Sequence, residues 1–184
     1  MRKYVGLLCA AALTVPATLM ITASPAAAAN AVTCTKAAGT GTFTPPLPKI
    51  GSTTKEKSKL TSTGTVSGCT GSGVKSGKTK FTQTSTPEPG NCQTLVEVKS
   101  TDKPTKGTLV ITWNNAKKST AAGFTIKQTD ATHANTTGKI TAGYLKGKVI
   151  SGKIVFKPES GGCTTKNLSK VTYTNTPKTK FIIK

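Results

Sequence analysis

Residues 107–129 read GTLVITWNNAKKSTAAGFTIKQT. Leu109, Ile111 and Trp113 alternate with Val110 and Thr112. A two-residue period belongs to a strand, whose successive side chains point to opposite faces. The strand ends at Asn114-Asn115, residues that tolerate the left-handed backbone of a turn. Beyond Lys117 and Lys118, Phe124 and Ile126 restart the alternation. The stretch therefore reads as strand, turn, strand. It also poses a functional question. Trp113, the chain's only tryptophan, is either a core anchor or a ligand platform on a lysine-rich surface. Its shared parity with Leu109 and Ile111 favours the core, since a buried β core is commonly anchored by one such ring.

The same grammar extends in both directions. Loose alternation marks TCTKAAGTGTFTP (33–45), KLTSTGTVSGC (59–69), GVKSGKTKFTQT (73–84) and CQTLVEVK (92–99). It returns in GKITAG (138–143), YLKGKVISGKIVF (144–156), LSKVTYT (168–174) and TKFIIK (179–184). Between them lie breakers: PPLP after Thr44, TPEPGN (86–91), TDKPTKG (101–107), the polar connection DATHANTTG (130–138) and ESGGC (159–163). Apart from the N-terminal stretch, no window sustains a helical apolar period. Roughly eight to ten short strands with regular turn signals predict an all-β antiparallel fold. A β-sandwich is the expectation, because the strands are short and interrupted by glycine; a β-barrel is the alternative.

Residues 1–29 stand apart. Arg2 and Lys3 precede an apolar stretch from about Val5 to Ile21, which ends in Ser24-Pro25-Ala26-Ala27-Ala28-Ala29. These are the parts of a secretory signal peptide. Cleavage after Ala29 is favoured over Ala31, leaving one domain over 30–184. Leu8 before Cys9, with most of the apolar stretch following it, argues against lipid attachment there. No later stretch is apolar enough to suggest a membrane span. Secretion, extracellular or at the cell envelope, also suits the cysteines. Without Cys9, four remain: Cys34, Cys69, Cys92 and Cys163. An even set in an exported chain reads as two disulfides, with three possible pairings. If the strands at 40–44 and 60–66 pair antiparallel, Cys34 and Cys69 fall at the same end. That favours Cys34–Cys69 and Cys92–Cys163.

Charge sets the partner classes. The formal charge is +20, and +18 without Arg2 and Lys3. Every remaining cation is then a lysine. Such a field attracts polyanions, anionic cell-surface and envelope polymers among them. Lys139, Lys146, Lys148, Lys153 and Lys157 are the candidate contacts, as a stripe along a 138–157 hairpin. The missing arginine argues against sequence-specific nucleic-acid readout.

Catalytic signatures are thin. His133 is the single histidine, with Asp102 and Asp130 as possible orienting acids. No G-x-S-x-G elbow accompanies it. The six acids, Glu56, Glu88, Glu97, Asp102, Asp130 and Glu159, are scattered. GSGVKSGKT (71–79) misses the phosphate-loop spacing by one residue in either register. No C-x-x-C or partnered histidine suggests a metal. The chain is thus expected to be non-catalytic, with no cofactor and no metal. A hydrolase centred on His133 is the least favoured reading. A carbohydrate or small-ligand module using Trp113 with Tyr144 or Tyr173 is the alternative to polyanion binding.

Several marks recur together: T-C-T (33–35), P-P-L-P (45–48), Cys69 closing the second strand, T-W-N-N (112–115), G-x-L-x-G-K (143–148) and a late Cys163. In this order they resemble a group of small secreted all-β proteins of unknown function from high-GC Gram-positive, actinobacterial-type bacteria. The resemblance covers nearly all of the chain after the signal. It implies a secreted β-sandwich and no reaction. This chain departs from the group in carrying more lysine and in lacking the glycine that more often follows the Asn.

Overall fold

The structure is a computed structural model that describes residues 31–99, 101–175 and 178–184; the signal-peptide reading of 1–29 lies outside the described residues. Ten strands and one short helix follow in the order β1 (Val32–Leu47), β2 (Lys59–Thr70), β3 (Ser76–Gln83), α1 (Cys92–Val96), β4 (Thr105–Trp113), β5 (Lys118–Gln128), β6 (His133–Lys139), β7 (Ala142–Gly143), β8 (Val149–Pro158), β9 (Leu168–Asn175) and β10 (Phe181–Ile183).

The expected sandwich is not what forms. Antiparallel pairing runs β1-β2-β3-β4-β5-β6-β8-β9, and β9 pairs back onto β1. The sheet closes on itself as an eight-strand antiparallel barrel, the alternative architecture. The physical reason is the length of β1. Its 16 residues offer one edge to β2 from Thr33 to Thr44 and the other edge to two partners in turn. β9 takes Ala38–Thr42, and β10 takes Val32–Cys34. β8 does the same from the far side, pairing Ile154–Pro158 with β9 and Ile150–Ser151 with β10. Two short strands laid end to end thus fill the last barrel position, and no edge is left open there. Asn175 bridges their junction. Its Oδ1 accepts from Ala37 N (2.9 Å), and its Nδ2 donates to Thr35 O (3.0 Å) and Thr179 O (2.6 Å).

Four local expectations change. β1 continues past the prolines to Leu47, which pairs with Leu168. Proline cannot donate to a ladder, and the pairing with β9 shifts register between Thr42 and Leu47. CQTLV is a helix, not a strand. Asn91 caps it, its Oδ1 accepting from Gln93 N and Thr94 N, and those capping bonds outweigh the strand preference of Thr94 and Val96. Most of DATHANTTG is β6, although its inward residues are Ala134, Thr136 and Gly138. A β carbon at Gly138 would lie 2.8 Å from the Phe124 ring, so the large ring on the adjacent strand β5 requires the small residue. Finally, 144–147 is a turn with Leu145 and Gly147 at positive φ, so Lys146 and Lys148 do not share a strand.

The barrel has two unlike ends. One is packed solid by Val32, Val66, Ile111, Ile140, Ile150, Ile183 and Trp113, each at most 2% exposed. Trp113 lies opposite Gly77 of β3, and its Nε1 donates to the buried Ser119 Oγ (2.9 Å). Cys34 and Cys69 face each other across β1 and β2 at this end and are bonded. At the other end, Cys92 of α1 is bonded to Cys163 in the β8–β9 loop. Both bridges are the favoured pairings. Among the described residues no helix is long and apolar enough to cross a membrane.

Candidate ligand-binding site

Strand parity aims one side chain in two into the barrel. At the packed end those side chains are fully buried. Towards the other end, Leu60, Ile126, Ile154, Phe156 and Tyr173 point inward on the same parity yet remain half-exposed. They border a hollow of about 920 Å³. Eight strands enclose an interior that can either be filled by side chains or hold one small ligand. Here the two solutions share one barrel, with Ala37, Val66, Leu109 and Phe181 where packed core gives way to hollow.

The wall is chemically one-sided. The strands contribute Phe43, Phe81, Phe124, Val171 and the half-exposed residues above, with no ionisable acid or amine turned inward. Phe81 and Phe124 meet edge to face at 6.0 Å. Gly107 lies between their strands, and a β carbon there would sit 2.5 Å from the Phe81 ring. Inward polar groups are few. Gln83 is tied down, its Oε1 accepting from Leu60 N (2.9 Å) and its Nε2 donating to Ser85 O (3.2 Å). Thr136 donates to Gly152 O (3.2 Å). The side-chain hydroxyls of Ser62, Thr79 and Tyr173 have no hydrogen-bond partner among the described residues, nor does the buried Ser58 Oγ near the mouth.

The charged residues gather at that mouth: Lys55, Lys99, Lys103, Lys106, Glu88, Glu97 and Asp102. Across it lies the β3–β4 connection, described over residues 84–99 and 101–104, which carries α1. One side is stapled. Cys92–Cys163 joins it to the β8–β9 loop, Cys92 N donates to Pro48 O (2.8 Å), and Glu56 and Gly90 exchange backbone bonds at 2.8 and 2.9 Å. On the other side Gln128 Nε2 of β5 donates to Leu95 O and to Asp130 O (2.9 Å). The connection is thus a strap over the mouth, fixed covalently on one side and by a side-chain hydrogen bond on the other.

The β8–β9 loop under the staple is itself clamped. Glu159 Oε1 accepts from Ser169 Oγ (2.6 Å), Ser169 N (3.0 Å) and Lys170 N (3.0 Å), while Oε2 accepts from Lys166 Nζ (3.3 Å). These donors, Ser169 foremost, lower its pKa to about 2.

The sequence-based candidates are dispersed. Trp113 is buried at the packed end, the core position its parity favoured. Tyr144 is there too, half-buried under Lys117 Nζ (4.7 Å from the ring centroid), with its hydroxyl donating to Ser72 O. Ser119 joins the two, since it accepts from Trp113 and donates to Tyr144 O. Tyr173 alone lines the hollow. The three aromatics therefore form no common platform, because Trp113 and Tyr144 lie at the packed end and Tyr173 lies in the hollow. Lys139, Lys153 and Lys157 lie exposed on the outer face of β6 and β8, whereas Lys146 lies in the turn at the packed end and Lys148 directly follows it.

His133 does find Asp130: Nδ1 lies 2.9 Å from Asp130 Oδ1. The same oxygen accepts from Thr132 N (2.8 Å), Thr132 Oγ1 (3.1 Å) and His133 N (2.9 Å). The Thr132 backbone bond, followed by the His133 side chain, lowers the Asp130 pKa to about 2. Thr129, Ala134, Asn135 and Lys153 complete the shallow depression around the pair. No serine lines it, and the aspartate closes the β5–β6 turn. Asp102 is engaged elsewhere, accepting from Lys99 N (2.7 Å). Among the described residues no three His, Cys, Asp or Glu side chains converge as metal ligands.

The hollow was not legible in the sequence. Its lining residues are the inward set of ordinary strands, and the alternation that identifies them is the same in a filled barrel. No protein-family model matches the chain, and neither a curated protein nor a solved structure matches it.

Proposed function

We propose that this protein is a non-catalytic binding barrel that holds one small, predominantly apolar molecule in its lumen. One observation carries the reading: inward-facing Leu60, Ile126, Ile154 and Phe156 stay half-exposed around about 920 Å³ of space. That volume lies within the roughly 300–1,000 Å³ range of ligand pockets. Apolar walls without facing atoms forgo dispersion contacts that a bound molecule would restore. The secretory reading of residues 1–29, together with the two disulfides, suits a protein that captures or carries such a molecule outside the cell. The probe is N-phenyl-1-naphthylamine, which fluoresces when it leaves water. Enhancement at micromolar dye is expected with the oxidised protein. Ser62→Trp, which places a ring in the hollow, should weaken dye binding at least tenfold. No enhancement with the wild-type protein overturns the reading.

A second reading has its own support. The outer face carries exposed Lys139, Lys153 and Lys157 on neighbouring strands, and diffuse association with anionic envelope polymers would leave the lumen free. Retention on purified cell wall should then fall steeply as salt rises. Retention unchanged at molar salt counts against it.

A further inference from the structure

We propose that the lumen takes an uncharged, mostly apolar molecule bearing a hydroxyl or carbonyl oxygen, and that Tyr173 is the residue that binds this oxygen. The inference rests on the lumen reading above and narrows its ligand class.

The packing around Tyr173 is specific. On β1 and β2, Gly39 and Gly64 are directly paired, and both face the interior. A β carbon built on either would fall 2.4 Å from the Tyr173 hydroxyl oxygen. Both positions are therefore held open by the tyrosine ring, which crosses from β9 over the two backbones. Any larger residue at 39 or 64 would displace it. This seating lies two residues above Ala37 and Val66 along β1 and β2, near the inner limit of the hollow.

A phenylalanine would satisfy the same glycine slot. The hydroxyl is what the packing does not account for. Away from bulk water, a tyrosine hydroxyl usually finds a hydrogen-bond partner; this one has none among the described residues. Thr79, paired with Gly64 on the next strand, also faces the hollow without one. Two unpartnered hydroxyls thus stand close together in register at the deep end of an apolar cavity, and Ser58 adds a third, fully buried, towards the mouth. Ser58 Oγ, sealed from solvent without a partner, carries a desolvation cost, whereas the Tyr173 and Thr79 hydroxyls open onto the hollow, and an apolar molecule that fills it leaves them unpaired unless it bonds them itself. A ligand oxygen supplies what the fold does not.

The charge state follows from the same wall. No amine or carboxylate reaches the deep end, so an ionised head group placed there would be desolvated without a counter-charge. A neutral oxygen suits it. An anionic head would instead have to stay at the mouth, beside Lys55, Lys99 and Lys106.

Competition for the lumen dye tests this with one carbon skeleton in three forms at pH 8: farnesol, the hydrocarbon farnesene and the ionised farnesoic acid. Farnesol is expected to displace the dye at the lowest concentration. Tyr173→Phe keeps the ring and removes only the hydroxyl, so its thermal midpoint should match wild type. It should raise the farnesol midpoint about three- to tenfold, the value of one neutral hydrogen bond, and leave farnesene unchanged. Equal competition by alcohol and hydrocarbon, or an unchanged farnesol midpoint in the variant, overturns the Tyr173 proposal while leaving the lumen reading intact. Strongest competition by the carboxylate also overturns it and moves the head group to the mouth lysines. Failure of the dye itself to bind overturns the lumen reading, and this one with it.

Discussion

Trp113→Ala is expected to lower the unfolding free energy by about 3–5 kcal/mol, among the largest losses any single side chain here can cause. Truncating a buried large aromatic forfeits its transfer free energy and leaves a cavity. The site cannot collapse easily. Trp113 lies against Gly77 and Ile111 inside closed strands, and a barrel wall tied on both sides has little freedom to move inward. The substitution also removes the donor to Ser119 Oγ. Circular-dichroism melting should show a midpoint lower by roughly 10 °C, from the usual conversion for a domain of this size. Trp113→Phe should recover more than half of the loss. The dye site should survive in the folded fraction at low temperature, because Trp113 lies outside the hollow. Loss of dye binding together with an unchanged melting midpoint would show that the ring faces a ligand instead.

Removing the Cys92–Cys163 bridge is the second large perturbation. The bridge closes 71 residues of sequence, for which the chain-entropy model gives about 4 kcal/mol of stabilisation. The double variant Cys92→Ala with Cys163→Ala should therefore melt well below wild type. It should also release dye faster, since the strap would lose its covalent tie to the β8–β9 loop and be held there by hydrogen bonds alone. What then holds the β8–β9 loop is the Glu159 clamp. A carboxylate whose folded pKa is depressed contributes stability fully above its unfolded value, about 4.5, and loses it as pH falls through about 2. Dye release from the double variant should accordingly accelerate between pH 4.5 and 2, and Glu159→Gln should reduce that dependence, leaving the part that comes from Asp130 beside Gln128. Release rates equal to wild type at neutral pH would show that the strap does not gate the mouth.

Much of this molecule was readable before its structure. The alternation in TLVITW set which residues face inward and placed Trp113 with Leu109 and Ile111. Antiparallel pairing of the first two strands brought Cys34 opposite Cys69, and that left Cys92 for Cys163. Other expectations failed where local pattern and tertiary context disagreed. Residues 92–96 carry strand-forming residues, but Asn91 and the disulfide hold them as a capped turn of helix. Residues 133–139 look like a polar loop, because the large Phe124 opposite demands small inward residues.

Composition and period by themselves determined an all-β chain, the inward and outward faces of its main strands and its strongly cationic character, and they favoured one pairing of its cysteines. These are consequences of short-range chemistry: side-chain alternation, turn residues and charge count. Only the tertiary structure decided that the sheet closes, since closure depends on β1 meeting β9 and β10 across more than a hundred residues of chain. Closure in turn decided the function proposed here. A sandwich of the same strands would press its apolar faces together, whereas a barrel of eight strands encloses a volume that its side chains fill at one end and leave open at the other.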